Sequence, residues 1–238
     1  MIIVSDAWKA AFPEARMGAL VMRNVLNPIT NANLEARKRD LEDRLRARFA
    51  GSGPDDLKAL EEIAAYQSYY RRFGKSYHVL LQLESVALRG KSIPSVAALV
   101  EAMFLAELQN LLLTAGHDLA AVRPPALFDV ATGNERFLKL NEQEQQLKAG
   151  DMMMVDGEGV ISSVLYGPDH RTRITPSTRD VLFVVYAPTG IGENAVARHL
   201  ETIRENVLLV APRAETEQLR VFGPAGEPDR APSPSSPS

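Results

Sequence analysis

The strongest constraint on the fold lies between residues 151 and 183, where strand patterns alternate with tight turns. Met152–Val155 is a short apolar run that ends at Asp156-Gly157, a step that favours a tight turn because glycine accepts positive φ. Val160–Tyr166 is predicted to be a second strand, and Gly167-Pro168-Asp169 breaks it. Val181–Tyr186 is the next strand pattern. The segment therefore predicts a sheet in which a polar loop connects two hydrophobic strands. Binding residues are common in such loops.

That loop carries six hydrogen-bonding side chains with only Ile174 among them: Asp169, His170, Arg171, Thr172, Arg173 and Thr175. A carboxylate there can accept a hydrogen bond from a substrate hydroxyl or amine, and guanidinium groups can hold phosphates through charge-assisted bonds. The alternative is structural: the aspartate is a turn residue and the arginines pair with nearby acids. Both interpretations stay open at the level of the residues.

The rest of the chain divides into helical patterns and strand patterns. Apolar spacing predicts helices over 34–49 with Asn33 as cap, 55–73, 94–115 and 193–210. Segment 77–89 also fits a buried strand, but Ser76 can cap it and Gly90 can end it, so we predict a helix there as well. Further strands are predicted over 19–25, 127–130, 137–140 and 218–222. Helices cluster in the first half and strands in the second, an order that predicts an α+β fold with a sheet-rich core and packed helices.

Composition narrows the classes of function. The net charge of −3 provides no general positive field, so any RNA contact must come from a local patch. The chain contains no cysteine, which excludes thiolate metal sites and disulfides and is typical of a cytoplasmic protein. Its four histidines lack metal-ligand spacing, and no segment is long and apolar enough to cross a membrane. We therefore expect a cytoplasmic protein without a metal, a cofactor or a membrane anchor.

Several segments, in order, carry a family resemblance over residues 75–190. VDGEGVISSVLYGPD and TRITPSTRDVLF resemble a strand after an "ADGE" turn, a Gly-Gly-Glu loop and "T-x-x-T-x-x-I/V-L-L". RFLKLNEQEQQLKAGDMMMVDG resembles "L-x-T-L-D-G-x-x-x-x-L-x-x-x-D-L-V-I-A-D-G", and IPSVAALVEAMFLAELQNLLLTAGHDL resembles a segment that ends in "Q-P-L-H". These are motifs of the tRNA-binding and editing domain of the bacterial phenylalanyl-tRNA synthetase β-subunit. The chain resembles a stand-alone version of that domain.

The resemblance implies roles for residues of this chain. Asp169 and His117 are predicted to be catalytic residues that recognise the side chain and position water. The predicted pocket residues are Ser162, Ser163, Tyr166 and Thr175, and the predicted tRNA-binding residues are Arg171 and Arg173. Structural alternatives stay open for His117, the two serines and Thr175: a histidine at a helix C-terminus, small side chains that let another element pack closely, and a threonine that caps a turn.

Two glutamates lie in the apolar segment 94–115. Glu101 and Glu107 each need a partner or a raised pKa if that helix is buried. The usual solution is an ion pair with a neighbouring arginine. Nothing in the chain resembles the motifs of an aminoacylation site, so we do not expect a synthetase.

These observations lead to three functional hypotheses. The first is a deacylase that hydrolyses the ester of mischarged aminoacyl-tRNA in trans. The second is a non-catalytic module that binds tRNA, other RNA or an amino acid, and the third is an interaction protein. We predict one domain over residues 1–222, followed by a disordered segment rich in proline and serine over 223–238.

Overall fold

The computed structural model describes residues 2–223, and eleven strands lie within that range. The strands are β1 (Ile2–Val4), β2 (Arg16–Arg23), β3 (Thr114–Asp118), β4 (Ala126–Val130), β5 (Arg136–Leu138), β6 (Glu144–Gln146), β7 (Met152–Asp156), β8 (Gly159–Ser163), β9 (Gly167–Pro168), β10 (Val181–Ala187) and β11 (Glu215–Phe222).

Seven α-helices accompany these strands within the described residues. They are α1 (Asp6–Ala11), α2 (Ala32–Arg48), α3 (Pro54–Lys58), α4 (Glu61–Arg71), α5 (His78–Leu83), α6 (Ala98–Asn110) and α7 (Glu193–Val210). One turn of π-helix, Glu84–Leu88, continues α5. None of these helices is long and apolar enough to span a bilayer.

The strands form two main sheets and one short hairpin. The five-stranded sheet has the order β1-β4-β7-β8-β9, and the four-stranded sheet has the order β11-β2-β10-β3. The β1–β4 pair is parallel, whereas the other pairs in both sheets are antiparallel. β5 and β6 form the separate hairpin. With helices packed on these sheets, the predicted α+β fold is confirmed.

The core lies between the four-stranded sheet and helices α6 and α7. Every residue of β10 is buried, and α7 packs on β2, β10 and β11. The helix approaches β2 closely at Gly18, where an added Cβ would lie 2.7 Å from Val196 Cγ1. A larger residue at Gly18 would push α7 away from the sheet, so glycine sets this separation.

The predicted helix over 94–115 is too long at both ends. α6 begins at Ala98 and ends at Asn110, because Leu111 adopts a left-handed conformation with φ of 61°. Gly116 lies inside β3 and does not terminate a helix. His117 therefore belongs to a strand, and the prediction that it follows a helix C-terminus is wrong.

Other predicted boundaries differ by smaller amounts. The helix over 193–210 is confirmed, and the cap of α2 is Asn31, not Asn33. The single helix predicted over 55–73 is two helices separated at Ala59-Leu60. The strand predicted over 160–166 ends at Ser163. The predicted disordered segment lies outside the described residues apart from Gly223.

Candidate functional site

Four side chains of β3, β8 and the 169–175 loop form one buried hydrogen-bond chain with Tyr186 of β10. Asp169 Oδ1 accepts from the Thr172 N–H at 3.0 Å and from the Thr172 hydroxyl. Thr172 Oγ1 lies 2.8 Å from His117 Nδ1, and His117 Nε2 lies 3.1 Å from Ser162 Oγ. Ser162 Oγ lies 2.6 Å from the Tyr186 hydroxyl. Three predicted site residues are therefore in contact, directly or through Thr172.

One assignment of protons satisfies the whole chain. Since the Thr172 hydroxyl donates to Asp169, its oxygen accepts from His117 Nδ1–H. His117 Nε2 then accepts from Ser162, and Ser162 accepts from Tyr186. Burial lowers the pKa of His117 to about 3, so its imidazole is neutral at physiological pH, as this assignment requires. The chain thereby fixes the position of the Tyr186 hydroxyl.

Arg171 belongs to a second network beside the first. Its guanidinium donates to the Ala121 carbonyl and to Asp156 Oδ1, both at 2.7 Å, and lies 3.4 Å from Glu158 Oε2. Burial alone would raise the pKa of Asp156, but backbone N–H donors and Arg171 hold it below its usual value. Arg171 therefore joins the 169–175 loop to the turn after β7.

A cleft of about 400 Å³ opens beside these networks, between α6, β3 and the end of β8. Its walls are mainly apolar side chains: Val100, Met103, Phe104, Leu113, Leu140, Val164 and Ile174. Polar groups on its surface include Ser163, Tyr186, Glu107, His78 and Arg173. An apolar cleft with a few polar groups is typical of a small-molecule site.

Glu107 is the most unusual polar group of this cleft. Its Oε1 accepts the backbone N–H of Thr114 at 2.7 Å, whereas Oε2 is buried and has no hydrogen-bond partner among residues 2–223. Burial raises its pKa to about 8, offset in part by the Thr114 hydrogen bond. A buried polar atom without a partner costs free energy unless a ligand satisfies it.

The chain matches the model of one known protein family. The model of the B3/4 domain family matches residues 65–206, which is more than half of the sequence. The chain belongs to the B3/4 domain family. This domain is of the phenylalanyl-tRNA synthetase β-subunit type, so the predicted resemblance to that subunit is confirmed.

One solved structure similar to this B3/4 domain protein is an N-terminal fragment of the phenylalanyl-tRNA synthetase β-subunit from Pyrococcus horikoshii. The TM-score is 0.48 at 11% sequence identity, with 93% of this chain and 50% of that chain covered. This chain thus spans about half the length of that fragment. No curated protein matches the chain.

The predicted site residues lie in different environments of this B3/4 domain. Only Ser163 and Arg173 of the predicted set line the cleft. Asp169 is buried and accepts hydrogen bonds from Thr172, so it does not line the cleft. His117 and Ser162 are fully buried beside it.

The two other predicted pocket residues lie elsewhere. Thr175 belongs to a local turn, where its N–H donates to Thr178 Oγ1 at 2.9 Å. The Tyr166 ring lies 4.3 Å from Lys75 Nζ, measured to the ring centroid, and is half-buried. Neither is among the cleft-lining residues of this B3/4 domain.

Sequence reasoning did not assign a function to Glu107. The signal was present, because Glu101 and Glu107 both interrupt an apolar helix. Glu101 forms an ion pair, as expected, but its partner is a lysine and not an arginine: Oε2 lies 3.3 Å from the Lys38 ammonium. Among residues 2–223 Glu107 Oε2 has no such partner, and only the folded chain shows that Glu107 lines a cleft. Within residues 2–223, no group of three histidine, aspartate or glutamate side chains could hold a metal ion.

Proposed function

We propose that this B3/4 domain protein binds the aminoacyl end of mischarged tRNA in the cleft and hydrolyses the ester in trans. The observation that carries the proposal is the cleft itself, which has apolar walls and is lined by Glu107, whose buried Oε2 lacks a hydrogen-bond partner among residues 2–223. Its volume of about 400 Å³ is near the lower end for small-molecule sites, which suits one aminoacyl group. The aminoacyl ester is already activated, so hydrolysis needs a positioned water and donors for the developing oxyanion.

The exposed and buried ends of the cleft suggest an orientation for the substrate. Arg173 is exposed, and its Nη1 donates to the His170 carbonyl at 2.5 Å, which leaves further guanidinium donors at the mouth. Glu107 is only 1% exposed. In this orientation the amino-acid side chain points toward Glu107, and the ester and the tRNA 3′ end lie near Arg173.

This orientation changes the roles predicted for Asp169 and His117. In this proposal they act as positioning residues: through Thr172 and Ser162 they hold the Tyr186 hydroxyl on the cleft wall. Arg173 contacts the tRNA, whereas Arg171 stabilises the loop. Ser163 lines the pocket, and the assignments of Tyr166 and Thr175 stay sequence-based predictions.

A second candidate function is binding without catalysis. His117, the histidine predicted to be catalytic, is neutral, fully hydrogen-bonded and outside the cleft lining. No nucleophile and base within hydrogen-bond distance occur together among the cleft-lining residues that the structure describes. This favours a module that holds an aminoacyl group or an amino acid without cleaving the ester.

A panel of mischarged tRNAs distinguishes the candidates. We expect the wild-type protein to hydrolyse at least one aminoacyl ester of the panel. Val100→Trp should abolish this turnover because the indole fills the cleft from its wall on α6. Val96→Trp is the matched control, since Val96 is exposed and does not line the cleft.

Other results with the same panel would favour a binding module or an interaction protein. Salt-sensitive binding without turnover supports the binding module. Turnover that Val100→Trp leaves unchanged would place the reaction outside the cleft and contradict the proposal. Neither binding nor turnover would favour an interaction protein.

A further inference from the structure

The free oxygen of Glu107 has a defined chemical character. Oε1 is occupied as an acceptor by the Thr114 N–H at 2.7 Å, whereas Oε2 is buried and has no hydrogen-bond partner within residues 2–223. Glu101, the other glutamate of α6, lies in its first turn and is paired with the Lys38 ammonium at 3.3 Å. Glu107 Oε2 has no such lysine partner among the described residues, and the cleft that Glu107 lines has mainly apolar walls.

The protonation state of Glu107 follows from this environment. Burial raises its pKa to about 8, so the carboxyl is mostly neutral at pH 7. Because Oε1 accepts a backbone hydrogen bond, the proton belongs on Oε2. At neutral pH, Oε2 of this cleft-lining residue is therefore a buried hydrogen-bond donor and carries no negative charge.

We propose that Glu107 is the specificity-determining residue of the cleft and that, as a neutral acid, it donates a hydrogen bond to an oxygen acceptor at the tip of an apolar aminoacyl side chain. This inference rests on the proposed function of the cleft, and it assigns the class of aminoacyl group that the cleft prefers.

Two other classes of side chain fit less well. A plain hydrocarbon tip leaves the Oε2–H donor buried and unpaired, which costs affinity. An ammonium tip requires Glu107 to ionise and then buries two charges, and the desolvation of both opposes binding. An oxygen acceptor satisfies the donor without any change of charge.

The groups around Glu107 leave it as the one expected to change charge between pH 7 and 9. These neighbours include Tyr66, Tyr70 and Tyr77. His199 Nε2 lies 2.7 Å from Thr114 Oγ1, and the cleft lining includes His78, Tyr186 and Arg173. Burial raises the pKa of all four tyrosines and lowers the pKa of both histidines.

The test uses three amide-linked, non-hydrolysable analogues of aminoacyl-adenosine with linear side chains. The methoxinine analogue carries an ether oxygen that can only accept, the norleucine analogue replaces that oxygen with a methylene, and the lysine analogue carries an ammonium. Their dissociation constants would be measured by calorimetry at pH 7 and pH 9. We expect the methoxinine analogue to bind roughly 5- to 30-fold more tightly than the norleucine analogue at pH 7.

The Glu107→Gln variant distinguishes a hydrogen-bond donor at this position from a negative charge. The amide oxygen can accept the Thr114 N–H, and the amide N–H can donate into the cleft at every pH. We expect wild type to lose most of its ether preference at pH 9 and the Gln variant to keep it at both pH values. Glu107→Leu should lose the preference at both.

Failure of the inference and failure of the proposed aminoacyl site give different results in this test. If all three analogues bind without preference, or the lysine analogue binds best, Glu107 does not act as a donor and the inference fails while the proposed cleft function stands. Loss of the preference in Glu107→Gln at pH 7 also overturns the inference. If no analogue binds, both the inference and the proposed aminoacyl site fail.

Discussion

Glu107→Gln is expected to raise the free energy of unfolding at pH 8 by on the order of 4 kcal/mol, with little effect at pH 4. An unfolded glutamate has its ordinary pKa of 4.5, whereas burial raises the pKa of folded Glu107 to about 8. Below pH 4.5 both states are protonated. As the pH rises toward 8, the unfolded state releases a proton that the folded state keeps, so wild-type stability falls. Glutamine does not titrate and avoids this loss.

Urea denaturation at pH 4, 6 and 8 measures this difference, and Glu101→Gln is the matched control on the same helix. Glu101 is 2% exposed, accepts the Val96 N–H at 2.7 Å and pairs with Lys38. Its replacement should lower stability by about 1–3 kcal/mol, because the buried ammonium loses an ionic partner. A Glu107→Gln protein that is less stable than wild type at pH 8 would show that Glu107 is ionised and paired.

Arg171→Ala should lower the free energy of unfolding by about 2 kcal/mol without changing the salt dependence of tRNA binding. The substitution removes donors to the buried Asp156 carboxylate and to the Ala121 carbonyl. Arg173→Ala should leave stability unchanged, since Arg173 is exposed and bonds mainly within its own loop. It should flatten the salt dependence of tRNA binding by roughly one unit of slope if Arg173 contacts one phosphate.

The two variants are each other's controls, with stability followed by thermal melting and binding by titration at several salt concentrations. A stable Arg171→Ala protein with a flatter salt dependence would restore the tRNA-binding role that the sequence predicted for Arg171. An Arg173→Ala protein with unchanged binding would remove this arginine from the interface.

The sequence predicted some elements well because their patterns are local. The amphipathic spacing of 193–210 specifies α7, one face of which packs on the sheet. Segment 94–115 is apolar almost throughout, so periodicity could not locate its end. Leu111 ends α6 in a left-handed conformation that leucine rarely adopts, and no residue type signals this.

The site was predictable only in part for a similar reason. The resemblance singled out His117, Ser162 and Asp169, and the fold connects them into one network through Thr172. It could not show that this network is buried, because burial depends on how β3, β8 and the loop pack together. For Glu107, the sequence indicated a carboxyl whose burial costs free energy, but it did not indicate the cleft beside this residue.

The central claim is that the cleft beside Glu107 receives the aminoacyl side chain. The most direct measurement is a crystal structure of the full chain with the methoxinine analogue of aminoacyl-adenosine bound. We predict the ether oxygen at hydrogen-bond distance, about 3 Å, from Glu107 Oε2, with the adenosine at the mouth near Arg173. An analogue bound elsewhere on the protein, with Glu107 Oε2 still unpartnered, would contradict the account.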